Sequence, residues 1–298
     1  MLVSIIIRTL NEEKYLCELL SKINDQVLNN IQIETVIVDS GSTDKTLNIA
    51  AKFGARITTI SKDEFTFGRS LNLGCEFALG DILVFISGHC VPVNNNWLLS
   101  LINPIKLKQS GYTYGRQIGR DTTKYSERRV FEKYYPAVDL NSNESFFCNN
   151  ANSAIKRDVW FNFKFEENLT GLEDMELAKR YFEKEGKITY IPEAVVYHIH
   201  NENWFQTLRR YEREAIALQN IMPFVNISIF DTFRYIISAV ISDLNSAFGS
   251  GCLLKEFTEI IKFRIAQYWG AYKGNHDHRS LSNIRKENYF YPLNTNKE

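Results

Sequence analysis

Apolar and polar positions alternate in a regular rhythm over the first ninety residues. Val3–Ile7 is an unbroken apolar run that ends in Arg8-Thr9-Leu10-Asn11-Glu12-Glu13. Thr35–Val38 is a second, ending in Asp39-Ser40-Gly41-Ser42-Thr43-Asp44, and Ile82–Ile86 a third, ending in Ser87-Gly88-His89-Cys90-Val91-Pro92. Short continuous runs of this kind predict buried parallel strands. Between them the period becomes helical. Glu12–Ile23 places Leu16, Leu19, Leu20 and Ile23 on one face. Ser42 or Thr43 can cap a second helix, with Leu47, Ala50, Ala51 and Phe53 as its apolar face and Gly54 as its end. Arg56–Ile60 reads as a strand and Ser70–Ala78 as a helix. Strands alternating with helices imply an α/β fold with a doubly wound, mostly parallel sheet. Ligands of such sheets bind just past the carboxyl ends of the strands, so three polar tips in succession point to a nucleotide site.

The rhythm then loosens. Trp97–Leu107 predicts a helix, Tyr112–Ile118 a strand, and Phe146–Ala154 a return to the sheet. Lys124–Asn143 is polar, aromatic and charged, a candidate lid or lobe. Glu173–Glu185 is helical, with Met175, Leu177, Ala178, Tyr181 and Phe182 inward, and Ile188–Ile191 and Ala194–Tyr197 read as two short strands. Beyond His200 the pattern is helical. Ile229–Phe248 and Phe257–Tyr272 carry sustained apolar stripes, joined by a turn at Gly249-Ser250-Gly251, and the end from Asn283 is polar and expected to fray.

Composition narrows the function classes. The chain has 298 residues, 44% hydrophobic and 23% charged, enough for one large domain or a domain with an appendage. Net charge is +0, so no global field favours nucleic acid. The five cysteines are odd in number and scattered, with no Cys-x-x-Cys pair, which argues against zinc and a disulfide framework and fits a reducing cytosol. Val3–Ile7 is too short for a signal-peptide core, and no segment reaches the ~18 apolar residues of a membrane span. The 20 Phe and 15 Tyr serve mostly as core, although a sugar-binding cleft also uses aromatic faces.

The block Val3–Glu13, followed by Val36–Asp44, resembles the opening of family 2 glycosyltransferases, nucleotide-sugar-dependent enzymes with a GT-A fold. The resemblance implies that Thr9, Glu12 and Asp39 line the nucleoside pocket, Asp39 as a strand-tip carboxylate. Gly68-Arg69-Ser70-Leu71-Asn72 is similar to a stretch near the donor diphosphate in this family, which implies donor contacts from Arg69 and Asn72. Arginine suits phosphate because its planar fork stays charged. At the third tip the chain departs from the family. An Asp-x-Asp that would hold Mg²⁺ or Mn²⁺ is replaced by Ser87-Gly88-His89-Cys90, while Pro92 and Trp97-Leu98 are kept. Three roles stay open for His89: a ligand of Mn²⁺, a direct phosphate contact when protonated, or a structural residue.

Tyr114-Gly115-Arg116-Gln117 and Phe147–Trp160 are similar to blocks of the rhamnosyltransferase-like branch. Tandem amides can read sugar hydroxyls, so Asn149, Asn150, Asn152 and Arg116 are candidate substrate contacts, with a turn network as the equal alternative. Gly171-Leu172-Glu173-Asp174 resembles the family's Glu-Asp motif at a helix start, which implies Asp174 as the catalytic base and Glu173 as the group that orients the site. His198 and His200 alternate at the end of an apolar strand, and His198 joins His89 as a candidate metal ligand. Gln206-Thr207-Leu208-Arg209-Arg210 faintly resembles the Gln-x-x-Arg-Trp motif of processive synthases, but the Trp is absent.

The expectation is therefore a GT-A domain over residues 1–211 and a helical extension over 212–298. The extension would pack on the first domain or on a homodimer mate, or meet a lipid-linked acceptor at the membrane surface. The implied activity is inverting transfer from a nucleotide-sugar donor to a saccharide or lipid-linked hydroxyl in capsule or O-antigen synthesis. No nucleic-acid partner is expected. The expected location is cytoplasmic, with the cytoplasmic face of the inner membrane left open. The non-enzymatic alternative is a degenerate glycosyltransferase fold that binds glycan or scaffolds a complex.

Overall fold

A computed structural model describes residues 1–138 and 145–276. Part of the Lys124–Asn143 segment and all of the chain from Asn283 lie outside the described residues. In chain order the elements are β1 (Leu2–Thr9), α1 (Glu13–Asn24), β2 (Gln32–Asp39), α2 (Thr46–Lys52), β3 (Arg56–Thr59), α3 (Phe67–Phe77), β4 (Ile82–Ile86), β5 (Cys90–Pro92) and α4 (Trp97–Lys106). There follow β6 (Tyr112–Ile118), α5 (Tyr125–Tyr134), β7 (Asn152–Lys156), α6 (Arg157–Phe163), α7 (Glu173–Phe182), β8 (Ile188–His198), α8 (Trp204–Ile221), α9 (Ile229–Gly249) and α10 (Leu253–Asn275).

Internal contacts divide the chain into two units. The first is Met1–Asp121, Phe131–Asn168 and Glu173–Ile199, and the second is Thr122–Val130, Leu169–Leu172 and the chain from His200. The expected boundary after Tyr211 would have cut α8. Instead α8 lies wholly in the second unit, where a Cβ on Gly270 or Gly274 of α10 would run into its backbone at Leu208 and Glu212.

In the first unit the strands form one sheet in the order β3-β2-β1-β4-β7-β6-β8-β5. The pairs β1–β2, β2–β3, β1–β4 and β6–β8 are parallel, whereas β7 runs antiparallel to both β4 and β6, and β5 to β8. Six strands thus point one way, and the mostly parallel sheet expected from the sequence is found. The two-residue period of each strand feeds two cores. Ile5, Ile7, Val84 and Ile86 pack with Leu16 and Leu19 of α1 and Trp97 and Leu101 of α4. Ile6, Val38 and Phe85 pack on the opposite face with Leu71 of α3, Trp160 of α6 and Leu177 of α7.

Local details differ where side chains outvote the apolar pattern. Helix α2 is not capped by the Ser42 or Thr43 side chain. Asp44 Oδ1 accepts from Thr46 N at 2.9 Å, and Ser42 Oγ is turned to Asp39 instead. Helix α3 starts three residues early because Thr66 Oγ1 accepts Arg69 N at 3.1 Å. The two strands expected around Pro192 are one, β8. Its pairing with β6 breaks between Gly115 and Gln117, and Pro192 falls in that gap, where its missing N–H costs no ladder bond.

In the second unit α8 and α9 open with capping boxes, Asn203/Gln206 and Ser228/Asp231. The predicted turn is made at Gly251, with φ +69°. A buried ion pair joins α10 to α9, Arg264 Nε lying 2.7 Å from Asp243 Oδ2, to which Ser126 Oγ also donates. Phe230, Phe233, Ile237, Ile241 and Phe248 form an exposed stripe on α9. Among the described residues no helix is long and apolar enough to cross a membrane.

Candidate active site

The carboxyl ends of β1, β2, β4, β6 and β8 lie on one edge of the sheet, together with the amino end of β7. Every site residue that the sequence pointed to in the first unit sits at this edge or on the helices leaving it.

The first two tips are laced together. Asn11 N donates to Ser42 Oγ, Glu12 N to Thr46 Oγ1 and Glu13 N to Asp44 Oδ2, while Thr43 N and Lys45 N donate back to Asn11 Oδ1 and Glu13 Oε2. The open N–H groups at the starts of α1 and α2 are thus met by the neighbouring loop. Asp39 is 1% exposed. Its Oδ1 accepts from Thr9 Oγ1 and Ser42 Oγ, and its Oδ2 from Gly41 N and Ser42 N. A carboxylate has about four lone-pair sites, so these bonds occupy it fully. Thr9 and Asp39 are together, and what they do in the structure is shape the tip loop.

Glu12, implied as a nucleoside contact, reaches across to the third tip. Its Oε1 is 2.9 Å from His89 Nδ1. Gly88 makes room for this contact, since a Cβ there would lie 2.8 Å from Glu12 Cγ. The His89 ring stacks on His198 with centroids 5.3 Å apart, and the two offer ligand nitrogens within 4.8 Å of each other. His198 Nδ1 is 2.6 Å from Gln117 Oε1, and Gln117 Nε2 donates to Asn149 Oδ1. An oxygen beside each Nδ1 matches the arrangement of a metal-bound histidine whose other ring nitrogen has an outer partner. In the second unit His200 shows the same habit, with Nδ1 2.7 Å from Glu127 Oε1. Burial pushes the Glu127 carboxyl up, but the His200 bond and the charges of Arg210 and Lys124 bring it to about 2.

Asp174 opens α7 and is 6% exposed. Its Oδ2 accepts from Asn150 N at 2.7 Å and its Oδ1 from Met175 N at 2.8 Å. Burial raises its pKa to about 7, reinforced by the Glu173 carboxylate and opposed by these two N–H groups and by Arg8. Glu173 Oε1 lies 3.2 Å from Arg8 Nη1, and that guanidinium also covers the Phe67 ring and donates to Phe67 O. Sequence reasoning passed over Arg8. Its signal was a cation at a strand tip directly after an apolar run.

Two of the candidate amides, Asn72 and Asn152, are bonded within the protein. Asn72 was to contact the donor, but its Nδ2 donates to Phe165 O and Glu167 Oε1 while its Oδ1 accepts from Trp160 Nε1 and Phe165 N. No hydrogen-bonding capacity of that amide remains for a ligand. Asn152 is bonded at both polar atoms too, donating to Arg116 O and Ala194 O and accepting from Trp97 Nε1. Both side chains brace the scaffold. Asn149 Oδ1 is taken by Gln117 and Ala151 N. Arg116 Nε and Asn150 Nδ2 are buried with no hydrogen-bond partner among the described residues. Arg69 is 49% exposed, its Nε 3.9 Å from Glu167.

The sheet edge therefore gathers a tip loop closed by Asp39, a histidine pair and a buried carboxylate, the last two joined through the neighbouring residues Asn149 and Asn150. The chain is 25% identical over 262 residues to the O-antigen chain rhamnosyltransferase WbaN of Salmonella anatum, covering 82% of each chain. It is 22% identical over 288 residues to the O-antigen chain rhamnosyltransferase RfbN of Salmonella typhimurium, covering 90% of each. Among solved structures it superposes on the mannosyltransferase PcManGT of Pyrobaculum calidifontis, in complex with GDP-Man and Mn²⁺, with TM-score 0.67 and 16% identity over 93% of this chain and 88% of that one. The model of the family described as "Glycosyl transferase family 2" matches residues 4–161, and with that span, more than half of its length, the chain belongs to this glycosyltransferase family.

Proposed function

We propose that the protein transfers a sugar with inversion from a nucleotide-sugar donor to a hydroxyl of a saccharide or lipid-linked acceptor, in O-antigen-type or capsule polysaccharide synthesis. The observation that carries the reading is Asp174, a buried carboxylate held by two backbone N–H groups, with its pKa at about 7. A general base works best when its pKa lies near the working pH. In the transfer the acceptor oxygen attacks the anomeric carbon from the face opposite the leaving group and its proton passes to Asp174. The bond from that carbon to the diphosphate breaks, and the nucleoside diphosphate leaves with the electron pair. Glu173 and Arg8 hold the start of α7, and Arg69 is the exposed cation for the diphosphate. The similarity to WbaN and RfbN supports a deoxyhexose, rhamnose, as the sugar moved.

The residues present suit a divalent cation of transition-metal type. His89 and His198 would hold it through Nε2, and two imidazoles favour Mn²⁺ over Mg²⁺, which prefers oxygen ligands. When bound, the cation would neutralise charge developing on the leaving diphosphate.

The test is thermal stabilisation by a panel of nucleotides and nucleotide sugars, each with Mn²⁺ or with EDTA. A ligand at about 100 times its Kd stabilises by about 2.7 kcal/mol. One nucleotide class is expected to raise Tm by several degrees with Mn²⁺, and His89→Ala and His198→Ala are expected to remove the Mn²⁺-dependent part. Product NMR from the selected donor should then show the inverted anomer. No shift from any nucleotide in either condition would refute the reading, and a retained anomer would refute the mechanism.

A further inference from the structure

Asn150 stands apart from the other amides of the site. Its Oδ1 accepts from Tyr112 Oη and Ser153 Oγ, both at 2.7 Å, and its backbone N–H holds the Asp174 carboxylate. The residue is 4% exposed, yet Nδ2 has no partner among the described residues. A buried N–H group without a partner costs stability and is rare enough to need a reason. Asn72 and Asn152, equally buried, have their amides filled. The orphaned donor therefore does not reflect a general deficit of acceptors at this edge. It occurs in a residue whose backbone N–H is bonded to the proposed base.

Resting on the transfer reading above, we propose that Asn150 Nδ2 is the group that reads the acceptor, donating to a hydroxyl oxygen on the carbon next to the one that attacks. The attacking hydroxyl must hydrogen-bond to Asp174 in order to lose its proton. Asp174 Oδ2 lies 2.7 Å from the Asn150 backbone nitrogen, so only the length of one short side chain separates the base from Nδ2. Two oxygens on adjacent sugar carbons match that separation. One is deprotonated as it attacks, and its neighbour accepts from Nδ2. The acceptor class is then a vicinal diol, and a simple alcohol or the corresponding deoxy sugar is rejected because it leaves Nδ2 buried and unpaired. Sites built to bond a substrate hydroxyl discriminate in this way. Tyr112 and Ser153 fix the carboxamide plane, so the donor is in place before the acceptor arrives.

The experiment uses the full chain, the nucleotide sugar chosen by the binding panel, and a set of methyl hexopyranosides with their monodeoxy counterparts as acceptor probes. Wild type, Asn150→Ala and Asn150→Asp are compared; the Asp variant keeps an oxygen for Tyr112 and Ser153 and so guards against loss of fold. Hydrolysis of the donor by water is measured alongside as a reaction that needs no diol. Wild type is expected to lose about 10–100-fold in kcat/KM when the hydroxyl neighbouring the attacking one is removed. The variants are expected to lose that much on the parent acceptor, mainly through KM, and nothing further on the deoxy compound. If the variants stay as sensitive to that deoxy position as wild type, or if no vicinal diol in the set accepts sugar while the donor is still hydrolysed, the assignment of Asn150 is overturned and the transfer reading survives. Failure of wild type to bind or hydrolyse any donor would instead bring down the transfer reading itself.

Discussion

Asp174→Asn is expected to lower turnover by about 10³-fold or more while leaving donor binding in place, since general-base catalysis contributes roughly 10²–10⁴. The substitution removes the carboxylate proposed to take the acceptor's proton, yet keeps size and shape. In wild type, kcat should rise with pH and level off above about 7, where Asp174 loses its proton. Stability should move the opposite way. The folded pKa is raised above the ordinary aspartate value, so the folded state binds this proton more tightly than the unfolded state. Its contribution is fully present below about pH 4 and is lost as pH rises through about 7. The variant carries no such proton and should lack this slope. Its absolute Tm is a poorer readout. Both carboxylate oxygens accept a backbone N–H, and an asparagine NH₂ can satisfy neither donor, so one hydrogen bond is lost as the buried charge is removed. The pH dependence of the Tm difference isolates the charge. Activity within tenfold of wild type, or a kcat flat between pH 5.5 and 8, would eliminate Asp174 as the base.

How far the sequence could be read depended on how local each signal was. β1, β2 and β4 were legible because a strand buried on both faces must be apolar throughout, and the helices between them because their apolar faces recur every three to four residues. The break placed at Pro192 was wrong for a non-local reason. The proline sits among the extra residues that β8 carries where its register against β6 shifts, and only the pairing partner shows that its missing N–H is harmless. The site divided along the same line. Asp174 could be placed from a short motif at a helix start. That Glu12 meets His89, 77 residues away, could not, although Gly88 beside His89 was a trace of it, because nothing but hydrogen fits under the glutamate. From the sequence Asn72 looks like a donor contact and Asn152 like a sugar-reading amide. Whether an amide is available depends on groups far along the chain, such as Phe165 and Glu167 for Asn72, and no spacing rule reveals that its bonds are already spent.

Asn152→Ala is accordingly expected to act on folding and not on sugar recognition. Asn152 is fully buried at the start of β7, between β4 and β6. Its side chain closes a three-way junction by accepting from Trp97 Nε1 at 2.8 Å and donating to Ala194 O at 2.8 Å and Arg116 O at 3.1 Å. Arg116 is the residue at which the β6–β8 register slips, and the amide supplies a donor to its carbonyl. Gly115 belongs to the same junction, since a Cβ on it would collide with Asn152 Nδ2 and Ala194 O. Alanine would take a partner from a buried indole N–H and from two carbonyls. Each such group costs about 1–3 kcal/mol, and partial relaxation brings the sum to roughly 3–5 kcal/mol. In a chain of this size that corresponds to a fall in Tm of roughly 10 °C, read by calorimetry or near-UV circular dichroism. The protein that remains folded at low temperature should keep its KM for the acceptor, because no atom of the Asn152 side chain is left over for a ligand. A variant of near-normal Tm with a raised acceptor KM would return Asn152 to the substrate contacts and show that the junction opens when sugar binds.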